Sequence, residues 1–90
     1  HMVKAKMDLP PVDVAWALRA LRAEVSDAEI NDCDGVKFDL QEGWVHLRKS
    51  NTEPILRIYV EAESPESAEK LARHFSARLE HHLQQAPGSH

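Results

Sequence analysis

The chain has a single cysteine, Cys33, so no internal disulfide framework can hold it together, and a reducing compartment suits it. A basic excess is also missing. The formal net charge is −4 and the isoelectric point lies near 5.8, which argues against a face-wide footprint for nucleic acid or for an anionic membrane. Any basic site must therefore be local. No apolar run approaches the length that spans a bilayer, and the N-terminal segment has no signal-peptide apolar core. These absences predict a soluble, cytoplasmic protein without a nucleic-acid or membrane partner. Repeats and low-complexity linkers are absent too, and 90 residues suffice for one core but leave little room for a deep, self-contained catalytic cleft. His1-Met2 reads as a cloning remnant, which leaves one domain over residues 3–83 and a tail over 84–90.

Short elements separated by turn signals fill the rest. Residues 3–8 alternate weakly, as an edge strand would, and Leu9-Pro10-Pro11 breaks them. Over residues 12–24, Val14, Ala17, Leu18 and Leu21, with Val25 beyond them, fall at helical spacing, while Arg19, Arg22 and Glu24 lie largely outside that stripe. Residues 26–34 have Ile30 and Cys33 as their apolar anchors and read as a short strand. Asp34-Gly35 is a turn signal. Strands follow over residues 36–41, 44–49 and 55–62, with Glu42-Gly43 turning between the first two. Ser64 then offers an N-cap, Pro65 a first helical residue and Glu66 a first-turn acid. The final helix carries Ala68, Leu71, Ala72, Phe75 and Leu79 on one stripe and is expected to fray after His82.

The pleat divides the strands between two faces. Val36, Phe38, Leu40, Val45, Leu47, Leu56, Ile58 and Val60 project to a core side. Lys37, Asp39, Trp44, His46, Arg48, Ile55, Arg57, Tyr59 and Glu61 project to the other, which is too polar to be a second dry core. The predicted fold is α+β: a two-layer sandwich with an antiparallel four-stranded sheet and two helices on one face.

The connection at residues 48–54, Arg-Lys-Ser-Asn-Thr-Glu-Pro, is longer than a tight hairpin requires. Arg48 brings a planar fork of donors that suits two phosphate oxygens. Ser50 and Thr52 add hydroxyl donors, and Asn51 tolerates the positive φ of an anion-binding nest. Lys49 and Arg57 would add positive potential. Glu53 is repulsive to a phosphate and is expected to point away and brace the loop or an arginine. From composition alone the same residues also read as ordinary turn formers, with Arg48 and Glu53 a solvated pair.

The spaced anchors go further than composition. Asp34-Gly35, Gly43-Trp44, Arg48-x-Ser50-Asn51-Thr52-Glu53-Pro54, Arg57 and Glu61-Ala62 together resemble the C-terminal domain of the α-D-phosphohexomutases, the family of phosphomannomutase, phosphoglucomutase and phosphoglucosamine mutase. The resemblance is specific over residues 34–75 and weaker upstream. It implies a fold similar to the TATA-box-binding-protein-like sandwich, and a fourth domain whose loop grips the substrate phosphate that is not being transferred. Carried over, Arg48 is the cationic clamp, Ser50 and Thr52 are hydroxyl donors, and Asn51 is a loop-shaping donor. Lys49 stands where several relatives have proline or another small residue. Asn51 in place of glycine favours the phosphomannomutase/phosphoglucomutase group. The implied partners are a hexose phosphate, a hexose 1,6-bisphosphate and the other domains of the parent enzyme. The implied Mg²⁺ and phosphoserine lie in those other domains, since no Asp-Gly-Asp-Gly-Asp loop occurs here. This domain is thus expected to hold no catalytic residue and no cofactor, and to be inactive alone. The alternative is a free-standing interaction module of the same fold.

Other candidates are weaker. His81 and His82 are adjacent on a helix, so their side chains point about 100° apart, and His74 has no histidine four residues on. Even with Glu80, no metal site is expected. Cys33, between Asp32 and Asp34, has no neighbouring cation to make it a nucleophile. Trp44 and Tyr59 could make a stacking platform for a sugar or base, but interdomain packing or a plain cross-strand contact is the commoner role of such a pair, with His46 on the same face.

Overall fold

In a computed structural model, which describes residues 1–25, 35–50 and 52–88 in full and the backbone of 28–32, seven elements follow one another. They are β1 (Met2–Asp8), α1 (Val14–Glu24), β2 (Ala28–Asp32), β3 (Gly35–Leu40), β4 (Gly43–Lys49), β5 (Ile55–Ala62) and α2 (Pro65–Gln85). The strands form one sheet in the order β1-β5-β4-β3-β2, antiparallel throughout. Both helices cover the same side, which is the expected two-layer α+β sandwich.

The sheet has five strands where four were expected. The weakly alternating N-terminal segment pairs along its whole length with β5, and the first two residues extend it, with the terminal ammonium of His1 donating to the Ala62 carbonyl at 2.7 Å. On the other edge β2 pairs with β3 and shifts register between Ile30 and Asp32. Cys33 and Asp34 lie outside the described residues, and with them the thiol and half of the Asp34-Gly35 turn.

Local chemistry sets the helix boundaries. Asp13 caps α1, its Oδ1 accepting the Trp16 N–H at 3.0 Å. Ser64 caps α2, its Oγ accepting the Ser67 N–H at 3.1 Å, with Pro65 at the first position and Glu66 in the first turn. α2 continues to Gln85 instead of fraying after His82, because Leu83 is buried and extends the apolar stripe by a turn. Beyond it the chain turns back on the start of α1: Pro87 accepts the Asp13 N–H at 2.8 Å, and Gly88 bridges to Val12.

The core lies between the sheet and the helices. Val36, Phe38, Val45, Leu47, Leu56, Ile58 and Val60 meet Ala17, Leu18, Leu21, Phe75 and Leu79 there, as the pleat predicts, and Leu40 packs at the margin. Phe38 and Phe75 make the central aromatic contact, with ring centroids 4.9 Å apart. Ile55, on the polar side by alternation, is nevertheless only 8% exposed. It pairs with Asp8, and the chain beyond Asp8 is held to the loop by Leu9 N–H donating to the Pro54 carbonyl.

The β3–β4 connection turns at Gln41 and Glu42, and Gly43 already belongs to β4, opposite Leu40. Gly43 has φ +158°, and a Cβ there would strike the Glu61 carbonyl oxygen and lie 2.9 Å from the Ala62 Cα. Only glycine lets β4 begin this close to β5.

Candidate functional site

The side of the sheet away from the helices is open, and register determines which polar residues meet on it. Arg48, the sixth residue of β4, stands directly opposite Arg57 of β5 and directly opposite Gly35 of β3. Directly opposed residues of an antiparallel pair have Cα atoms about 4.5–5.5 Å apart. Two guanidinium stems thus rise side by side, both exposed. Gly35 contributes no side chain on the other flank of Arg48. A Cβ there would be 2.6 Å from the Leu47 carbonyl oxygen and 3.3 Å from His46 Nε2, so the space is closed to anything larger.

The loop leaves this pair and is closed at its base by Ser50 N–H donating to the Ile55 carbonyl at 3.0 Å. Inside it, Thr52 N–H donates to Ser50 Oγ at 3.3 Å, and the two hydroxyl oxygens are 3.4 Å apart. Ile55 N–H donates to the Glu53 carbonyl at 2.8 Å, and Pro54 is tied to the end of β1 through Leu9. These bonds converge the Ser50 and Thr52 hydroxyls without engaging Arg48. Asn51, and the positive-φ nest expected there, lie outside the described residues.

The supporting residues separate by face. Arg57 joins Arg48 through register. Lys49 does not: it is opposite Leu56, a core-side residue, so the pleat sends it to the helix side of the sheet. Glu53 is exposed, and among the described residues neither it nor Arg48 enters an ion pair. The solvated Arg48–Glu53 pair is therefore not formed.

The next row of the face reads Lys37, His46, Tyr59, Lys4, and the one beyond it Asp39, Trp44, Glu61, Met2. Trp44 and Tyr59 are consequently one step out of register: Tyr59 opposes His46, with ring centroids 6.2 Å apart, while Trp44 lies under the Lys37 ammonium at 5.2 Å. A direct cross-strand pairing of Trp44 with Tyr59 is replaced by these two separate contacts.

Among the helical histidines, His82 turns inward to Glu24 at 2.9 Å, and the His81 ring stands edge-on to it with centroids 5.4 Å apart. Among the described residues no group of three histidine, cysteine, aspartate or glutamate side chains converges to hold a metal, and no helix is long and apolar enough to cross a membrane.

Sequence reasoning singled out Arg48, Ser50, Thr52 and Arg57 but missed Lys4 and Lys6, which β1 brings beside Arg57. Their alternation in residues 3–8 was the available signal. It indicates a face only once the partner strand is known.

The family described as "Phosphoglucomutase/phosphomannomutase, C-terminal domain" matches residues 3–78. A probable phosphoglucosamine mutase of Methanopyrus kandleri is 37% identical over 76 residues, covering 82% of this chain and 17% of the relative. Another, from Methanocella arvoryzae, is 49% identical over 59 residues, 66% of this chain and 13% of the relative. A phosphomannomutase/phosphoglucomutase of Pseudomonas syringae is 39% identical over 57 residues, 63% of this chain and 12% of the relative. The chain thus spans less than a fifth of the length of these relatives.

Proposed function

The chain belongs to the phosphoglucomutase/phosphomannomutase family as its C-terminal domain, and we propose that the loop from Arg48 to Pro54 binds a phosphate group of a hexose phosphate for a parent mutase. The observation that carries this reading is the direct opposition of Arg48 and Arg57 beside converged Ser50 and Thr52 hydroxyls. Like charges facing each other across strands cost stability, and a phosphate dianion between them turns that cost into attraction. Each guanidinium offers a bidentate fork that stays charged at any physiological pH, and each charge-assisted hydrogen bond contributes about 1.5–3 kcal/mol.

In the parent, the reaction would interconvert hexose 1-phosphate and hexose 6-phosphate through a hexose 1,6-bisphosphate, in the manner of a phosphomannomutase/phosphoglucomutase. This domain's part would be binding and orientation. Phosphate gripped remotely from the reacting centre supplies binding energy and fixes the sugar's approach. Asn51 would complete the loop, and Glu53 would stay clear of the anion. The Mg²⁺ of such an enzyme would be held outside this chain.

The test is a ¹⁵N–¹H titration of the chain with inorganic phosphate and with mannose or glucose 1-phosphate, repeated on Arg48→Ala. Saturable shifts confined to residues 48–57 and lost in the variant are expected. Shifts that survive Arg48→Ala, or a parent mutase whose KM is unmoved by that substitution, would overturn the reading in favour of an interaction module without a ligand.

A further inference from the structure

Beyond the loop, the edge of the polar face carries a second set of cations. Pairing of β1 with β5 sets Lys4 opposite Tyr59 and Lys6 opposite Arg57. Across four strands, two adjoining rows then read Lys6, Arg57, Arg48, Gly35 and Lys4, Tyr59, His46, Lys37. Over β1, β5 and β4 these rows hold Lys4, Lys6, Arg48 and Arg57 and no carboxylate, while toward the far edge Lys37 is opposite Glu29 of β2 and Gly35 is opposite Asp32. The acids of this face among the described side chains, Asp8, Asp39 and Glu61, stand in the flanking rows.

In a domain with a formal net charge of −4, that is a marked segregation. Lys37 has a partner in Asp39, 3.8 Å away. For Lys4, Lys6 and Arg57, by contrast, no described carboxylate lies within ion-pairing distance. A surface that opposes Lys6 to Arg57 and leaves both unneutralised is destabilised by like-charge repulsion until an anion covers it.

The same residues enclose space. Lys4, Ala5, Lys6, Arg57 and Tyr59 line a shallow concavity of about 420 Å³, within the size range of small-molecule sites. Its donors differ in kind: two mobile ammonium groups, one planar guanidinium fork and a phenol hydroxyl. Lys4 and Lys6 attach about 7 Å apart along the strand, and Arg57 sits one strand over, about 4.8 Å away. A single phosphate engages two of these donors at a time, whereas a chain of linked phosphoryl groups can engage all of them together.

We propose that the concavity formed by Lys4, Lys6, Arg57 and Tyr59 is a second anion site, separate from the Arg48–Pro54 loop, that takes a linear oligophosphate group. Arg57 stands between the two sites, opposite Lys6 on one side and Arg48 on the other. The new site does not need the loop's hydroxyls or Arg48.

The test is a ¹⁵N–¹H titration of the 90-residue chain with inorganic tripolyphosphate at low ionic strength, with orthophosphate and sodium chloride of matched ionic strength as controls. It is repeated on Arg48→Ala, on Lys6→Gln and on the double variant Lys4→Gln/Lys6→Gln. Tripolyphosphate is expected to give saturable shifts at residues 4–6 and 57–59. The double variant should weaken that binding roughly tenfold or more, Lys6→Gln should weaken it less, and Arg48→Ala, which removes a neighbouring charge and no ligand of this site, should weaken it clearly less than the double variant does. Unliganded Tm values confirm that the exposed-lysine variants stay folded. Absence of saturable shifts at these residues, their full retention in the double variant, or their reproduction by sodium chloride would overturn the proposal. Loss with Arg48→Ala equal to that with the double variant would also overturn it, by showing one site where two are proposed. Failure of the loop reading looks different: orthophosphate and hexose phosphates would then leave residues 48–53 unmoved whatever happens at residues 4–6.

Discussion

Arg78 holds Glu24 side-on with two hydrogen bonds, Nε to Oε2 at 2.8 Å and Nη2 to Oε1 at 2.6 Å. Glu24 is the last residue of α1 and Arg78 lies in the middle of α2, so the pair fastens the two helices where their chains are 54 residues apart. His82, one turn further along α2, adds a third contact to the same carboxylate at 2.9 Å.

This arrangement has a pH signature. The hydrogen bond from Arg78, helped by His82, lowers the Glu24 carboxyl from its ordinary 4.5 to about 2. A depressed folded-state pKa means that the contribution is fully present above the unfolded value, near 4.5, and is lost as pH falls through about 2. Urea midpoints of the wild type and of Glu24→Gln should therefore differ at neutral pH and converge between these two values. The gap should also shrink with added salt, since the pair is partly exposed. A gap that is constant with pH would show that the carboxylate charge is not what joins the helices.

Gly43→Ala is expected to destabilise the fold by at least about 1–3 kcal/mol. The added methyl would meet the Glu61 carbonyl oxygen, a backbone atom that cannot turn aside, at a φ of +158°. The strain falls where β4 meets β5, so amide exchange in the Gly43–Ala62 and Trp44–Glu61 pairs should accelerate first. Gly88→Ala is the control, because a Cβ there meets nothing within 4 Å, and it should be close to neutral.

Much of this fold was legible in the sequence for the reason that these two regions illustrate. Alternation in residues 36–60 separates a core side from a polar side, and Ser64-Pro65-Glu66 announces α2, because each is a local signal with a local cause. All five strands are legible as segments, but that both weak ones join one sheet is not, because β1 and β2 are edge strands with one pairing partner each and alternation within a strand does not show what it pairs with. Ile55 stands on the polar side as alternation places it, yet it is buried where the end of β1, more than forty residues away in the chain, pairs with it. The site divides the same way. Arg48, Ser50 and Thr52 are visible as residue types in one loop, but the opposition of Arg48 to Arg57, the turning away of Lys49 and the arrival of Lys4 and Lys6 are facts of register, which no single strand carries.

Phe38→Ala should cost about 3–5 kcal/mol, the usual range for removing a buried aromatic. Phe38 has no exposure and its ring packs on Phe75, linking β3 to α2. Against a total stability of about 5–15 kcal/mol for a domain of this kind, the variant should be marginal at room temperature. Phe75→Leu keeps most of the volume and should lose markedly less. Chemical denaturation of the two variants checks the order, and equal losses would mean that the ring contact is not central.

Arg48→Ala is expected to move stability and binding in opposite directions. Without ligand, removing one of two opposed guanidinium groups relieves repulsion and should stabilise the chain by roughly 0.2–1 kcal/mol at low salt. With phosphate the wild type gains through mass action, by an amount that grows with ligand concentration, while the variant should gain little. The Tm curves of the two proteins against phosphate concentration should therefore cross. A residue that only decorated a hairpin would give parallel curves, and one that only packed against its neighbours would make the variant less stable at every concentration. Crossing is the signature of a charge pair kept at a cost to the free fold because an anion occupies it, and its absence would leave the Arg48–Arg57 opposition without a functional explanation.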